Sequence, residues 1–247
     1  MIRLAERGLR AVLLDIEGTT TPIAFVHEAL FPYARAHLRA FLDTHWRSAE
    51  VAEVRRQLAV ERDRDLARGE APPRVTMGND DRAIASLVAY IEWLMNRDRK
   101  SPGLKLLQGL IWEDGYRAGA LRGQVFDDVP AAIREWRAAG VDVAIYSSGS
   151  ELAQRLLFQS TEHGDLTPLI GAFFDTAIGA KTEPGSYARI ATAMKTSPAE
   201  ILFVSDVAAE LTAAREAGLS VVLSRRPGNP PQLVTALETI ATFDEIR

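Results

Sequence analysis

The sequence predicts an α/β fold: a doubly wound parallel sheet, Rossmann-like in its core, with a helical domain inserted after the first strand. Three observations carry this. Short apolar runs rich in β-branched residues recur along the chain, helical patterns separate the later runs, and one long stretch between His27 and Arg122 is helical with no strand-like run.

The strand-like runs are Ala11–Leu14, Val141–Tyr146, Ile201–Val204 and Ser220–Leu223. Each is apolar throughout and suits a strand buried on both faces. From Val125 onward they alternate with helical patterns over Pro130–Ala139, Glu151–Gln159, Gly185–Lys195 and Ala208–Ala217, and Gly140 and Gly218 stand where two of these helices should stop. Such alternation requires right-handed crossovers, which put a ligand site at the carboxyl ends of the strands.

In the insert, Glu28–Trp46, Glu50–Arg68, Asp80–Arg97 and Lys105–Arg117 read as helices, with Arg68–Asn79 a loop around Pro72 and Pro73. Leu30, Phe31, Leu38, Phe41 and Leu42, and then Leu87, Tyr90, Ile91 and Leu94, recur at helical spacing as helix-packing core. The alternating run Glu61-Arg62-Asp63-Arg64-Asp65 predicts a solvated face with local ion pairs. The expected division is therefore 1–22 and 123–247 for the core and 23–122 for the helical insert.

Composition narrows the function. The 247 residues include no cysteine, which excludes disulfides, thiolate metal sites and a cysteine nucleophile. No apolar run approaches the roughly 18 residues of a membrane span, and Met1–Arg10 alternates charged with apolar residues, so a cytoplasmic protein is expected. A net charge of −4 and a pI near 5.7 give no basic footprint for nucleic acid, which leaves a small molecule as the expected partner.

Chemistry concentrates where the strands end. The first runs into Asp15-Ile16-Glu17-Gly18-Thr19-Thr20, two carboxylates one residue apart followed by a glycine that lets backbone amides turn toward an anion. The second runs into Ser147-Ser148-Gly149-Ser150 just ahead of a helix, where hydroxyls and amides favour anions, although serine there also serves as a helix cap. Lys181 lies in a loop that Pro184 turns into a helix, an address where a lone lysine is ordinarily exposed. Asp206, with Glu210 one helical turn later, ends the third strand. With Asp15 it could grip a hard cation such as Mg²⁺, which needs few carboxylate oxygens because it keeps several waters. Serine-hydrolase, zinc and nucleotide readings fail. Ser147 lacks the flanking glycines of a nucleophile elbow, His27, His37, His45 and His163 form no H-E-x-x-H frame, and neither phosphate-loop pattern follows a strand. Arg226-Pro227-Gly228-Asn229 reads as a turn.

Taken in order, Asp15-x-Glu17-Gly18-Thr19, Ser147, Lys181 and Asp206 with Glu210 resemble the four motifs of the haloacid-dehalogenase superfamily. The longer run Leu14–Val26, together with Leu107-Gln108-Gly109, Ile145–Ser150 and Arg226–Asn229, resembles the enolase-phosphatase E1 family of methionine salvage, the glutamate at position 17 being distinctive. That resemblance implies a monomeric, cytoplasmic, Mg²⁺-dependent acireductone synthase. Its members enolise 2,3-diketo-5-methylthiopentyl-1-phosphate and then remove the phosphate to give 1,2-dihydroxy-3-keto-5-methylthiopentene. It implies Asp15 as nucleophile and Glu17 as general acid and base. Ser147, Ser148 and Lys181 become substrate contacts, the metal falls to Asp15, Glu17 through its carbonyl and Asp206, and Glu210 supports. The insert would act as a cap. A phosphatase for another small ester is the nearest alternative. A dehalogenase would need neither Glu17 nor Asp206, and a non-catalytic binding module would be expected to have lost at least one motif residue.

Overall fold

The computed structural model describes residues 1–76, 80–99, 101–232 and 237–247. They divide into two units, Met1–His27 with Leu121–Arg247, and Glu28–Ala120.

The first unit is built on a parallel sheet of six strands: β1 Ala11–Leu14, β2 Asp142–Tyr146, β3 Ala172–Phe174, β4 Ile201–Ser205, β5 Ser220–Ser224 and β6 Thr239–Ile240, in the order β3-β2-β1-β4-β5-β6. β1 lies in the middle, pairing Ala11–Leu14 with Asp142–Ile145 on one side and with Ile201–Val204 on the other. A strand covered on both faces has no polar face to alternate, which is why it reads Ala-Val-Leu-Leu and why all four residues are buried. Strand order reverses about β1 and β4, and a crevice opens beyond the carboxyl ends of strands at such a reversal.

The edge strands β3 and β6 escape a reading of the sequence. Three and two residues long, they are too short to show a run. Four helices of eight or more residues cross between strands: α5 Asp128–Ala138, α6 Glu151–Gln159, α7 Pro184–Met194 and α8 Ala208–Glu216. Trp136 on α5 is fully buried against Phe243 at 5.4 Å between ring centroids, and its indole N–H donates to the Ile246 carbonyl at 3.0 Å.

The second unit is helical: α1 Phe31–His45, α2 Ala49–Ala67, α3 Asp80–Met95 and α4 Pro102–Arg117. The hydroxyls of Ser48 and Ser101 cap α2 and α4 by accepting from Val51 N and Leu104 N. Leu38, Leu42, Leu58, Leu87, Ile91 and Leu94 form the buried stripes. Residues 23–27 and 121–122, assigned by sequence to the insert, fall in the first unit, where Phe25, Val26 and Leu121 are buried. Of the loop expected at Arg68–Asn79, residues 77–79 lie outside the described residues.

The charge run at the end of α2 departs from the solvated face that its alternation predicts. Asp65 is only 1% exposed; it accepts from the Arg99 guanidinium at 2.5 Å and from the Tyr90 hydroxyl at 3.1 Å. Glu61 accepts from Gly103 N at 2.9 Å, and Arg62 donates to the Pro73 carbonyl at 2.9 Å. Five consecutive residues go round more than one helical turn, so some of them must face the protein whatever their charge. Removing one partner of a buried ion pair leaves the other uncompensated. Arg99→Met is therefore expected to destabilise the protein by about 3 kcal/mol, measured by urea unfolding, and an unchanged midpoint would show that Asp65 needs no cation.

Candidate active site

Asp15 continues β1: its N–H donates to the Val204 carbonyl at 3.0 Å, and the residue is 4% exposed. The chain then folds back on itself. The amides of Thr19, Thr20 and Thr21 all point at the Ile16 carbonyl at 2.9–3.1 Å, and the Thr20 hydroxyl donates to the Asp15 carbonyl at 3.1 Å. Gly18 makes this turn possible, with φ of +68°. A Cβ at Gly18 would lie 2.4 Å from Asp206 Oδ2 and 2.8 Å from Asn229 Oδ1, so the glycine admits both side chains against the backbone.

At the end of β2, Ser147 is buried and its hydroxyl accepts from Gly149 N at 3.3 Å. Ser148 is half-buried, and Ser150 caps α6 by accepting from Ala153 N. Gln154, itself buried, donates to the carbonyls of Gly149 at 2.9 Å and Phe174 at 2.8 Å, tying the serine turn to β3.

Lys181 is not the exposed lysine that its loop would suggest. Its side chain is 9% exposed, and its ammonium lies 2.6 Å from Asp15 Oδ1 and 2.6 Å from Glu210 Oε2. Burial opposes the charge, yet Asp15 and Glu210 together hold its pKa above the ordinary lysine value. The Ser205 hydroxyl donates to Glu210 Oε2 at 2.9 Å, accepts from Val207 N at 3.1 Å and stands 3.5 Å from Asp15 Oδ2. Asp15, Lys181 and Glu210, which 195 residues of chain separate at the extremes, thus form one buried group.

Asp206, 6% exposed, is pushed up to about 7 by burial and then by the charge of Asp15, with a smaller contribution from Glu17. Burial and Asp15 likewise push Glu210 up to about 7. Carboxylates therefore outnumber cations here even with Lys181 present. Asn229 Oδ1 is buried with no hydrogen-bond partner beside the Gly18 turn. These oxygen donors fit a hard cation that takes few protein ligands and keeps its waters. Among the described residues no three or more His, Asp or Glu side chains gather as a ready metal cage. Nor do the histidines join the site: His37 and His45 stack on Tyr33 and Phe41 in the helical unit, and His27 and His163 are exposed.

Sequence reasoning misses the residues that hold this group in place. Ser205 is the last residue of β4 and looks like strand. The Arg226–Asn229 segment is more than a turn: Asn229 donates to the Gly18 carbonyl at 2.8 Å, and buried Arg226 donates to the Thr19 carbonyl at 3.1 Å and to Asp128 at 2.9 Å. The available signals are its position directly after β5 and its resemblance to the corresponding segment of the family, neither of which says what the side chains hold.

A parallel sheet with a carboxylate ending its central strand, further carboxylates following the neighbouring β4, and a lysine brought to them by the loop after β3 is the arrangement of a hydrolase of the haloacid dehalogenase-like class. Residues 9–218 match the family described as haloacid dehalogenase-like hydrolase. The enolase-phosphatase E1 of Synechococcus elongatus is 46% identical over 242 residues, covering 97% of this chain and 98% of that protein. That of Sorangium cellulosum is 46% identical over 243 residues, covering 98% and 99%. The crystal structure of the UTR4 protein of Saccharomyces cerevisiae superposes with a TM-score of 0.76 at 32% identity, covering 96% of this chain and 99% of that one. The chain belongs to the enolase-phosphatase E1 family.

Because the Gly18 turn brings Asp206 and Asn229 against a bare α-carbon, Gly18→Ala must displace one of them or the turn. A shift of about 1 Å at an active site can cost on the order of 100-fold in rate. We expect a loss of phosphatase kcat/KM of that size with the protein still folded, read by steady-state kinetics beside circular dichroism; retained activity would show that the turn tolerates a side chain.

Proposed function

We propose that the chain is the bifunctional enolase-phosphatase of methionine salvage, acting on 2,3-diketo-5-methylthiopentyl-1-phosphate to give 1,2-dihydroxy-3-keto-5-methylthiopentene. The observation that carries the phosphatase half is the buried Asp15 carboxylate with the Lys181 ammonium 2.6 Å away. A nucleophile and a cation able to hold a phosphoryl oxygen stand side by side. Family membership carries the enolase half and the choice of substrate.

In this reading Lys181 and Ser147 hold phosphate oxygens, and Ser148 contacts the substrate beside them. An Asp15 oxygen bonds to phosphorus while the ester P–O bond breaks, and Glu17 gives its proton to the leaving oxygen. The resulting aspartyl-phosphate is opened by water, whose proton returns to Glu17 as phosphate leaves Asp15. Glu210 supports by sharing Lys181 and by keeping Ser205 in place. For the first step, removal of the proton from carbon beside the carbonyl, Glu17 is the assigned base. Mg²⁺ held by Asp15, Asp206 and the Glu17 carbonyl would offset charge between the anionic nucleophile and the phosphate. The partner is this small phosphorylated diketone, not nucleic acid or a membrane, and the working form is a cytoplasmic monomer. Among the described residues no helix is long and apolar enough to cross a membrane.

The test follows phosphate release from the diketone phosphate together with ultraviolet absorbance of the conjugated enol, with and without Mg²⁺. Both signals should appear, and only with the metal. Asp15→Asn should still accumulate the enolised phosphate while release falls by more than about 10³-fold; Glu17→Gln should abolish both. Release from simple phosphate esters but not from the diketone would reassign the substrate, and full enolisation by Glu17→Gln would remove it as the base.

A further inference from the structure

The loop that delivers Lys181 is fastened in a way that its sequence does not advertise. Four consecutive main-chain carbonyls each accept from a side chain: Ile178 from Arg189 Nε at 2.6 Å, Gly179 from the Tyr146 hydroxyl at 2.9 Å, Ala180 from the Ser186 hydroxyl at 2.8 Å and Lys181 from the Tyr187 hydroxyl at 2.6 Å. Loop carbonyls ordinarily face water, and most hydrogen bonds in a folded chain join backbone to backbone. Here a stretch with no ladder of its own is bonded, carbonyl by carbonyl, to the end of β2 and the start of α7.

Arg189 is exposed, but the three hydroxyl donors are held by packing. Tyr146, Ser186 and Tyr187 are fully buried. The two tyrosine rings meet edge to face at 5.5 Å between centroids, and Tyr187 packs on Phe203 of β4 at 5.1 Å. Burial raises the pKa of both phenols, so they remain protonated donors through the neutral range. Gly179, at φ of +140°, lets the loop press close: a Cβ there would lie 2.2 Å from both Ser186 Oγ and Arg189 Nη2.

A lysine ammonium sits at the end of a flexible four-carbon stem, so fixing it in space requires fixing its α-carbon first. We infer that Tyr146, Ser186, Tyr187 and Arg189 are positioning residues for the phosphoryl-transfer step, holding carbonyls 178–181 so that the Lys181 ammonium is already placed for the phosphate before it binds. This rests on the reading of Lys181 as a phosphate ligand. Preorganisation of this kind appears as affinity and rate, beyond any stability the hydrogen bonds add.

The test is the dissociation constant for inorganic phosphate, measured by calorimetry on the Mg²⁺-loaded protein, with kcat/KM and the melting temperature taken alongside. Tyr187→Phe keeps the ring and deletes one donor; it should weaken phosphate binding and lower kcat/KM by about tenfold each. In a Lys181→Met background, where there is no ammonium to place, adding Tyr187→Phe should change phosphate binding by less than about twofold. Effects that simply add, or a Tyr187→Phe protein with a lower melting temperature and unchanged phosphate binding, would overturn the inference. If Lys181→Met does not fold, Ser186→Ala is compared with Tyr90→Phe, a buried tyrosine in the helical unit bonded to Asp65. Ser186→Ala should weaken phosphate binding and Tyr90→Phe should only lower the melting temperature; equal phosphate binding in the two would overturn it. Wild-type protein that ignores phosphate, or a folded Lys181→Met that binds it as tightly, defeats the reading of Lys181 itself. Weaker binding in Lys181→Met with none lost in Tyr187→Phe defeats only the positioning role.

Discussion

The buried ammonium of Lys181 is the interaction on which the rest of the site depends. Two carboxylates, Asp15 and Glu210, lie within 2.6 Å of it. Desolvating any one of these charges alone would be strongly unfavourable, so each is tolerable only because the others are there. The group can form only if three chain segments end at the same place. The parallel sheet provides that: β1 carries Asp15, β4 leads to Ser205 and then Glu210, and the loop after β3 brings Lys181.

Around this ion group the protein immobilises backbone. The Gly18 turn is held from beyond β5 by Asn229 and Arg226, which bond its carbonyls, and Arg226 is itself sandwiched between Phe126 and Phe243 at 4.5 and 4.6 Å. On the far side of Asp15, the Lys181 loop is held by hydroxyls from β2 and α7. Both devices use main-chain carbonyls as handles and leave the side chains of Asp15 and Lys181 to pair with each other. They also explain why the turn residues are glycines at Gly18 and Gly179, where a neighbouring side chain occupies the place of the missing Cβ.

Much of this was legible in the sequence, for definite reasons. Buried parallel strands advertise themselves as continuous apolar runs, and β1, β2, β4 and β5 were readable to within a residue. Asp15, Glu17 and Asp206 stood out because charge at the end of an apolar strand is a local anomaly, whereas Lys181, in a loop, was marked only by its place in the order of the family motifs. What stayed hidden has no local signal. β3 and β6 are too short for periodicity. Asp65 belongs to a charge run whose buried member is chosen by Arg99 and Tyr90, far along the chain. Tyr146, Tyr187 and Arg226 look like core or surface residues until the fold shows which carbonyls they reach.

The central place of β1 also has a consequence for how the chain is made. Its Ala11 pairs with Asp142 and with Ile201, across about 130 and about 190 residues. A ribosome delivers the middle of the sheet first, and both neighbours only after the whole helical unit has emerged. Contacts of such sequence separation are slow to form, while helices that pack on near neighbours form quickly. The topology thus favours an order in which the helical unit consolidates while Ala-Val-Leu-Leu waits, unpaired and apolar, for its partners. An unpaired apolar strand is the kind of segment that chaperones bind and that aggregation recruits. The strand that leads to Asp15 therefore stays exposed to aggregation for as long as its partners are unmade.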